Sequence, residues 1–348
     1  MDLAERIISF KSLGDFFRDF SENKNLETIF SKKLTEIVEN DHFYNPWFTE
    51  ENIRIAIRAT GNSLKEDNIQ KWLSEYPELN EEKDPKRIGV VTAGNLPLVG
   101  FHDFISVLIS GNIFVGKLSS KDDRLLKFIA DFLTNANSEF NNQIFFEEKL
   151  LTRFDAIIAT GSNNTSRYFE YYFGKYPNII RHNRNSIAVI TGFETNEQIS
   201  LLADDIFQYF GLGCRNVSKL FVPEVYKFDK FFENINHYQH LYQHNKYANN
   251  HDYNRSVYLM NQTMHLDNGF VLLKEDIQMA SPIAVLYFEY YRNIDTVNQF
   301  IDVNKDQIQC VVSESKQVKD AIPFGKAQQP ELWDYADNVD TLKFLLNL

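Results

Sequence analysis

The sequence predicts an α/β protein with two units built on parallel sheets and an α-helical layer at the N-terminus. Three observations carry this prediction. Apolar residues recur at helical spacing through residues 1–80, with Ile7, Ile8, Phe10, Leu13, Phe16, Phe17 and Phe20 set among charges. From residue 88 onward, short apolar runs alternate with amphipathic segments, the pattern of βαβ units. The length of 348 residues, 43% of them hydrophobic, suits about two domains at roughly 150 residues each.

Taken in order, the charged run 81–87 (EEKDPKR) ends the helical layer, and residues 88–92 (IGVVT) form a first buried strand. An apolar helix follows over 98–108, then a strand at 113–117 and a helix at 125–133. A strand at 154–159, a helix at 168–173, a strand at 186–191 and a helix at 199–210 continue the alternation. Beyond Cys214 the pattern predicts a strand at 219–222, a helix at 225–235 and strands at 257–260, 283–288 and 309–312. The expected division assigns residues 1–205 to the helical layer and the first α/β domain, with 331–348 packing back on it, and residues 206–330 to a second domain.

The charge balance of 36 Lys and Arg against 48 Asp and Glu gives a net charge of -12, the wrong sign for phosphate neutralisation. Nucleic acid and anionic membrane are thereby disfavoured as partners. Two cysteines, Cys214 and Cys310, are too few for a disulfide framework and fit a reducing cytoplasm. The opening residues lack an apolar core or cleavage site, so no secretion signal is expected. The most apolar stretch, 104–115, is too short and too often interrupted to span a membrane.

Four strand ends carry residues suited to chemistry. Gly94-Asn95-Leu96-Pro97 follows the first strand, where Asn95 is either a carboxamide donor for an oxyanion or a cap on the helix behind Pro97. Lys117, Ser119 and Ser120 follow the second strand, as phosphate or ribose ligands or as a solvated helix start. Thr160, Gly161 and Ser162 form a glycine turn ahead of a helix, whose free amides would receive pyrophosphate. The turn lacks G-x-G-x-x-G. Gly211-Leu212-Gly213-Cys214 puts a thiol on a flexible turn, as a nucleophile or as a small buried apolar group. Cys310, inside an apolar run, belongs to the core. His237, His240, His244 and His251 lie close in sequence, but no cysteine or paired carboxylate completes a ligand set, so no metal is expected.

In this order the Asn-x-Pro turn, the strand-end Lys, the Thr-Gly-Ser turn and the Gly-x-x-Cys resemble the aldehyde dehydrogenase superfamily. Ser218-Lys219-Leu220-Phe221-Val222 resembles the segment after the family's nucleophile, with Lys219 where its members usually carry Arg. Ser281-Pro282-Ile283 resembles its Phe-Gly-Pro segment, and the similarity covers residues 85–290. More narrowly, residues 94–104 (GNLPLVGFHDF) and 334–340 (DYADNVD) resemble acyl-CoA reductases related to the fatty-acid reductase subunit of bacterial luminescence systems.

The resemblance implies an aldehyde-dehydrogenase-like fold, a Rossmann-like domain for a nicotinamide cofactor and a catalytic domain bearing the nucleophile Cys214. Aldehyde-oxidising members carry a general-base Glu upstream of the thiol, where this chain reads Arg181-His182-Asn183-Arg184-Asn185. Without that base an acyl-enzyme persists until a thiol or a hydride meets it, which favours acyl-CoA reduction. Ser120 stands where the family's ribose-binding Glu would be, so NADPH is the expected cofactor, with NADH an alternative. Gln278 aligns with the family's Glu at the nicotinamide ribose. The expected activity is reduction of a long-chain acyl-CoA to aldehyde by a homo-oligomer, with an acyl-donating enzyme as a further partner. The content of 30 Phe leans the same way, towards a fatty acyl tunnel. Two alternatives stand beside it: an oxidative NAD(P)-dependent aldehyde dehydrogenase with His182 as base, and an idle nucleotide-binding subunit of an acyl-transfer complex.

Overall fold

The computed structural model describes residues 1–24, 27–81, 83–161 and 163–348. The chain divides into two compact units, Met1–Asn183 with Glu331–Leu348, and Arg184–Pro330.

The first unit opens on helices α1 (Leu3–Ser21), α2 (Ile29–Asn40), α3 (Glu50–Ser63) and α4 (Glu66–Leu73). A capping box starts α1: the Asp2 carboxylate accepts the Glu5 amide at 2.8 Å, and the Glu5 carboxylate accepts the Asp2 amide at 3.0 Å. Phe10, Leu13 and Phe17 share one face of α1 and are fully buried. The sheet-building segments follow as β1 (Arg87–Val91), α5 (Phe101–Ile109), β2 (Ile113–Lys117), α6 (Arg124–Ala136), β3 (Ile144–Phe146), β4 (Ala156–Thr160), α7 (Asn163–Phe173) and β5 (Asn178–Arg181). Phe16 of α1 and Phe30 of α2 meet Phe128 and Phe132 of α6 with ring centroids 5.1–6.0 Å apart. These phenylalanines fasten helix to helix and so lend no support to an acyl tunnel.

All strands of this sheet are parallel, in the order β3-β2-β1-β4-β5. Ile88, Val90, Phe114, Val115 and the run Ala156 to Ala159 are fully buried, as a sheet covered on both faces requires. The chain lays β2 and β3 on one side of β1, then crosses over to place β4 and β5 on the other. The order therefore reverses between β1 and β4, and loops leaving their carboxyl ends diverge into a crevice suited to a ligand.

The second unit contains β6 (Asn185–Val189), α8 (Asn196–Phe207), β7 (Val217–Pro223), α9 (Asp229–Ile235), α10 (Asn245–Met260), β8 (Leu266–Asp267), β9 (Leu272–Glu275), β10 (Val285–Tyr291), α11 (Ile294–Val303), β11 (Ile308–Val312) and β12 (Ala321–Ile322). Its sheet runs β12-β11-β6-β7-β10-β9-β8, parallel except for the β8–β9 pair. Ile187, Val189, Phe221, Val297, Ile301, Ile308 and Val311 fill the core between this sheet and α11. The expected division after residue 205 is displaced to 183/184, because β6 pairs with β7 and β11 and takes α8 with it.

The strand expected at 257–260 is the last turn of α10. Four apolar residues in a row suit either period, and here Tyr258 packs on Leu272, Val285 and Tyr287 while Leu259 and Met260 face solvent. Residues 331–348 belong to the first unit and end in α12 (Thr341–Leu346). Tyr335 anchors them: Trp72 Nε1 donates to its hydroxyl at 2.7 Å, the Tyr76 hydroxyl lies 2.7 Å away, and Tyr76 donates to Asp340 Oδ2 at 2.9 Å. Burial pushes the Tyr76 hydroxyl up to about 12 and raises that of Tyr335 further, so both remain protonated.

Candidate active site

Three of the four sequence motifs lie at the carboxyl edge of the first sheet. In register, Val91 of β1 stands beside Lys117 of β2 and Ala159 of β4, and Thr160 beside Arg181 of β5. Asn95 is exposed on the loop after β1. Helix α5 begins only at Phe101, with Gly100 as its cap residue, so Asn95 is not the helix cap. A Cβ on Gly94 would fall 2.3 Å from Ser119 Oγ, so only glycine lets the loop after β1 lie against the loop after β2. The same contact is held by the Ser119 amide, which donates to Thr92 Oγ1 at 3.2 Å, and by Asn45, which donates to Gly94 O at 3.3 Å.

Behind this turn lies Asp122, buried, with no hydrogen-bond partner for Oδ1 among the described residues. Burial pushes its carboxyl up to about 8, and nearby Asp41 adds to the rise against the pull of the Leu98 and Val99 amides. Leu98 itself sits at φ 60, a left-handed conformation costly to a branched residue.

Lys117 closes β2 and donates from Nζ to Glu148 O at 2.8 Å. Since α6 begins at Arg124, Lys117 is a strand end and not a helix start. Ser119 is half-buried and Ser120 exposed. Thr160 closes β4, Gly161 follows it, and α7 starts at Asn163. Ser162 lies outside the described residues. At the neighbouring strand end, Arg181 is buried in a two-pronged pair with Asp103 at 2.5 and 2.8 Å, and donates to Thr341 Oγ1 at 3.1 Å. The His182 ring is exposed, with Nε2 3.4 Å from Glu170 Oε1.

The thiol lies in the second unit. After α8, Tyr209 and Phe210 both adopt left-handed backbone, at φ 54 and 59, before Gly211 at φ 74. Each non-glycine residue there costs about 1–2 kcal/mol, offset by burying both rings. The chain then turns into β7 with the Cys214 side chain exposed. Asn216, buried, accepts the Gly213 amide at 2.8 Å and donates to the carbonyls of Asp205, Ile206 and Gln208 at 3.0–3.2 Å. Ser186 donates to the Cys214 carbonyl at 2.9 Å. The Cys214 turn is thus tied to both the helix before it and the strand beside it. Cys310, on β11, has its thiol pushed up to about 11, chiefly by burial.

Gln278 is exposed between β9 and β10, its amide donating to Asp276 Oδ1 at 3.0 Å. Lys219, on β7 and fully buried, donates to Asp276 O at 3.1 Å and Ile277 O at 2.9 Å and pairs with Glu289 at 2.6 Å. Ser218 donates to Met279 O at 2.7 Å. The strand carrying Cys214 into the sheet therefore also fixes the segment carrying Gln278. Sequence reasoning missed Ser186, Asn216 and Asp122 and noted Lys219 only as a replacement. Their signal is a polar residue within an apolar run or at its end, which fixes no partner.

Among the described residues, no group of three or more His, Cys, Asp or Glu is arranged to hold a metal ion. His251 is buried against Asp267 at 3.1 Å. No described helix is long and apolar enough to cross a membrane.

The family model for acyl-CoA reductase (LuxC) matches residues 19–275. The chain belongs to the LuxC acyl-CoA reductase family. Membership places it among oxidoreductases that work on the acyl and aldehyde carbon. LuxC-family membership accords with the fold, which is that of the aldehyde dehydrogenases. An aldehyde dehydrogenase from Physcomitrella patens, in complex with the reaction product succinate, matches with a TM-score of 0.67 at 13% identity, over 100% of this chain and 84% of that one. The aldehyde dehydrogenase PutA from Anabaena variabilis matches at 0.62 and 16% identity, over 92% and 82%. An indole-3-acetaldehyde dehydrogenase complexed with NAD+ matches at 0.61 and 12% identity, over 91% and 73%. No curated protein matches the sequence.

Proposed function

We propose that the protein reduces a long-chain acyl-CoA thioester to the aldehyde and CoA, with NADPH as reductant and Cys214 as the covalent carrier of the acyl group. The observation that carries this reading is the Cys214 thiol, exposed on a turn whose carbonyl-side peptide is held by the buried Ser186 hydroxyl and whose preceding Gly213 is held through its amide and its carbonyl by Asn216. A rigid, accessible thiol is what a nucleophile needs, and an exposed cysteine serving only to pack is not built this way.

The carboxyl edge of the first sheet fits a dinucleotide. Gly94 keeps the β1 loop clear, Lys117, Ser119 and Ser120 offer a cation and two hydroxyls for the adenosine ribose and its 2′-phosphate, and Thr160, Gly161 and Ser162 precede a helix N-terminus for the pyrophosphate. Gln278 is the proposed contact to the nicotinamide ribose. Bound there, reduced nicotinamide supplies a hydride.

In the proposed reaction the Cys214 thiolate attacks the thioester carbonyl, and the carbon–sulfur bond to CoA breaks as CoA leaves as a thiolate. The Asn95 carboxamide and the Cys214 backbone N–H hold the oxyanion. After hydride addition to the S-acyl carbon, the thiohemiacetal collapses to aldehyde and restores the Cys214 thiolate. Arg181, at the strand end where oxidising relatives carry their base, is bound to Asp103 and takes no proton. His182, the base an oxidative reaction would call on, lies exposed with Nε2 3.4 Å from Glu170 Oε1. In the proposed reaction the absence of a carboxylate base in 181–185 leaves the acyl-enzyme waiting for hydride. A cytoplasmic homo-oligomer supplied by an acyl-donating enzyme completes the proposal.

The test is mass spectrometry of protein incubated with palmitoyl-CoA and no nicotinamide. One palmitoyl adduct on Cys214, lost on hydroxylamine treatment and missing in Cys214→Ala, is expected. An adduct elsewhere, or none, contradicts the reading.

A further inference from the structure

We propose that Ser186 is a positioning residue for Cys214, and that Cys310 acts behind it by committing the Ser186 hydroxyl to the Cys214 carbonyl. The inference deepens the proposed function and rests on Cys214 being the nucleophile.

A serine hydroxyl has one proton to give and two lone pairs to receive with. Ser186, fully buried as the second residue of β6, has neighbours for all three. Its hydroxyl lies 2.9 Å from the Cys214 carbonyl, which can only accept. The Cys310 amide, which can only donate, approaches the same oxygen at 3.2 Å, and Cys310 Sγ lies 3.0 Å from it. Burial keeps the Cys310 thiol protonated at neutral pH, so its S–H fills the second lone pair. The direction of the chain follows: Cys310 S–H to Ser186, and Ser186 O–H to Cys214 C=O. Cys310 Sγ also lies 3.9 Å from the Arg215 carbonyl, one peptide further on.

With the Gly213 carbonyl accepting the Asn216 amide at 3.0 Å and the Gly213 amide held by the Asn216 side chain, the backbone on both sides of Cys214 is pinned, and so is the direction in which its side chain leaves the turn. Loss of the Ser186 hydroxyl frees the carbonyl-side peptide, and misplacing a reacting atom by about 1 Å costs about 100-fold in rate.

The experiment compares single-turnover acylation of Cys214 by palmitoyl-CoA in the full-length protein with NADPH affinity and thermal midpoint. Ser186→Ala is expected to slow acylation about tenfold or more with NADPH affinity unchanged. Cys310→Ala should slow it less, Cys310→Ser should restore it by keeping an O–H donor, and Ser186→Ala with Cys310→Ala should be no slower than Ser186→Ala alone, because both act through one hydroxyl. A folded Ser186→Ala protein acylated at the wild-type rate, or a double variant whose losses multiply, overturns the assignment. If Ser186→Ala does not fold, equal rates for Cys310→Ala and Cys310→Ser overturn it instead. Wild-type protein that forms no acyl-Cys214 overturns the proposed function, and the positioning role falls with it; wild-type acylation with an indifferent Ser186→Ala overturns only the latter.

Discussion

Asp122 shows how a single buried carboxyl bears on the site. Burial raises it from an unfolded value of about 3.9 to about 8, and Asp41 adds to the rise. Over that interval the native state holds a proton that the unfolded chain has lost, so stability falls as pH rises from about 4 to about 8 and levels off above. Asp205, buried with its carboxylate accepting the Gly325 and Ala327 amides and pushed up to about 7, acts with the same sign. Asp122→Asn keeps the shape and removes the titration. Urea midpoints measured from pH 5 to 9 should show the variant gaining on wild type as pH rises, by about 1 kcal/mol or more at the alkaline end. Parallel curves would mean that Asp122 is not protonated in the native turn.

At the scale of elements, β7 joins the Cys214 turn to the segment carrying Gln278. Lys219 is enclosed by two carbonyls, Glu289 and the rings of Phe221 and Phe300 at 5.0 and 5.4 Å, so removing its charge leaves those carbonyls and the Glu289 carboxylate without their buried donor. Lys219→Met is expected to cost about 2–4 kcal/mol and to raise amide exchange at residues 276–279 selectively. Unchanged exchange there would show that the ammonium does not hold the segment. The βαβ alternation and the strand at 113–117 were legible in the sequence because buried parallel strands are continuous apolar runs. The strands β3, β5, β8, β9 and β12 were not, being two to four residues long, too short to show a period. Lys117, Thr160 and Cys214 stand out in the sequence because each lies where an apolar run meets glycine. Ser186 was not, since a serine in an apolar strand is silent about the carbonyl it serves.

For the whole molecule, sheet order carries the argument that composition could not. The reversal between β1 and β4 brings the three loops chosen from sequence to one edge, and residues 331–348 return to that unit through Tyr335, Trp72 and Tyr76. The unit boundary escaped sequence reading because β6 looks like any buried strand, and only its pairing with β7 and β11 assigns it to the second sheet. The central claim is that this assembly turns a thioester into an aldehyde through Cys214. The most direct measurement is the fall in nicotinamide absorbance when purified protein receives NADPH and palmitoyl-CoA, beside Cys214→Ala. Consumption matched by released CoA and aldehyde in the wild type, and absent in the variant, is the predicted result. Equal consumption by both proteins, or none by the wild type with NADPH or NADH, would contradict the account.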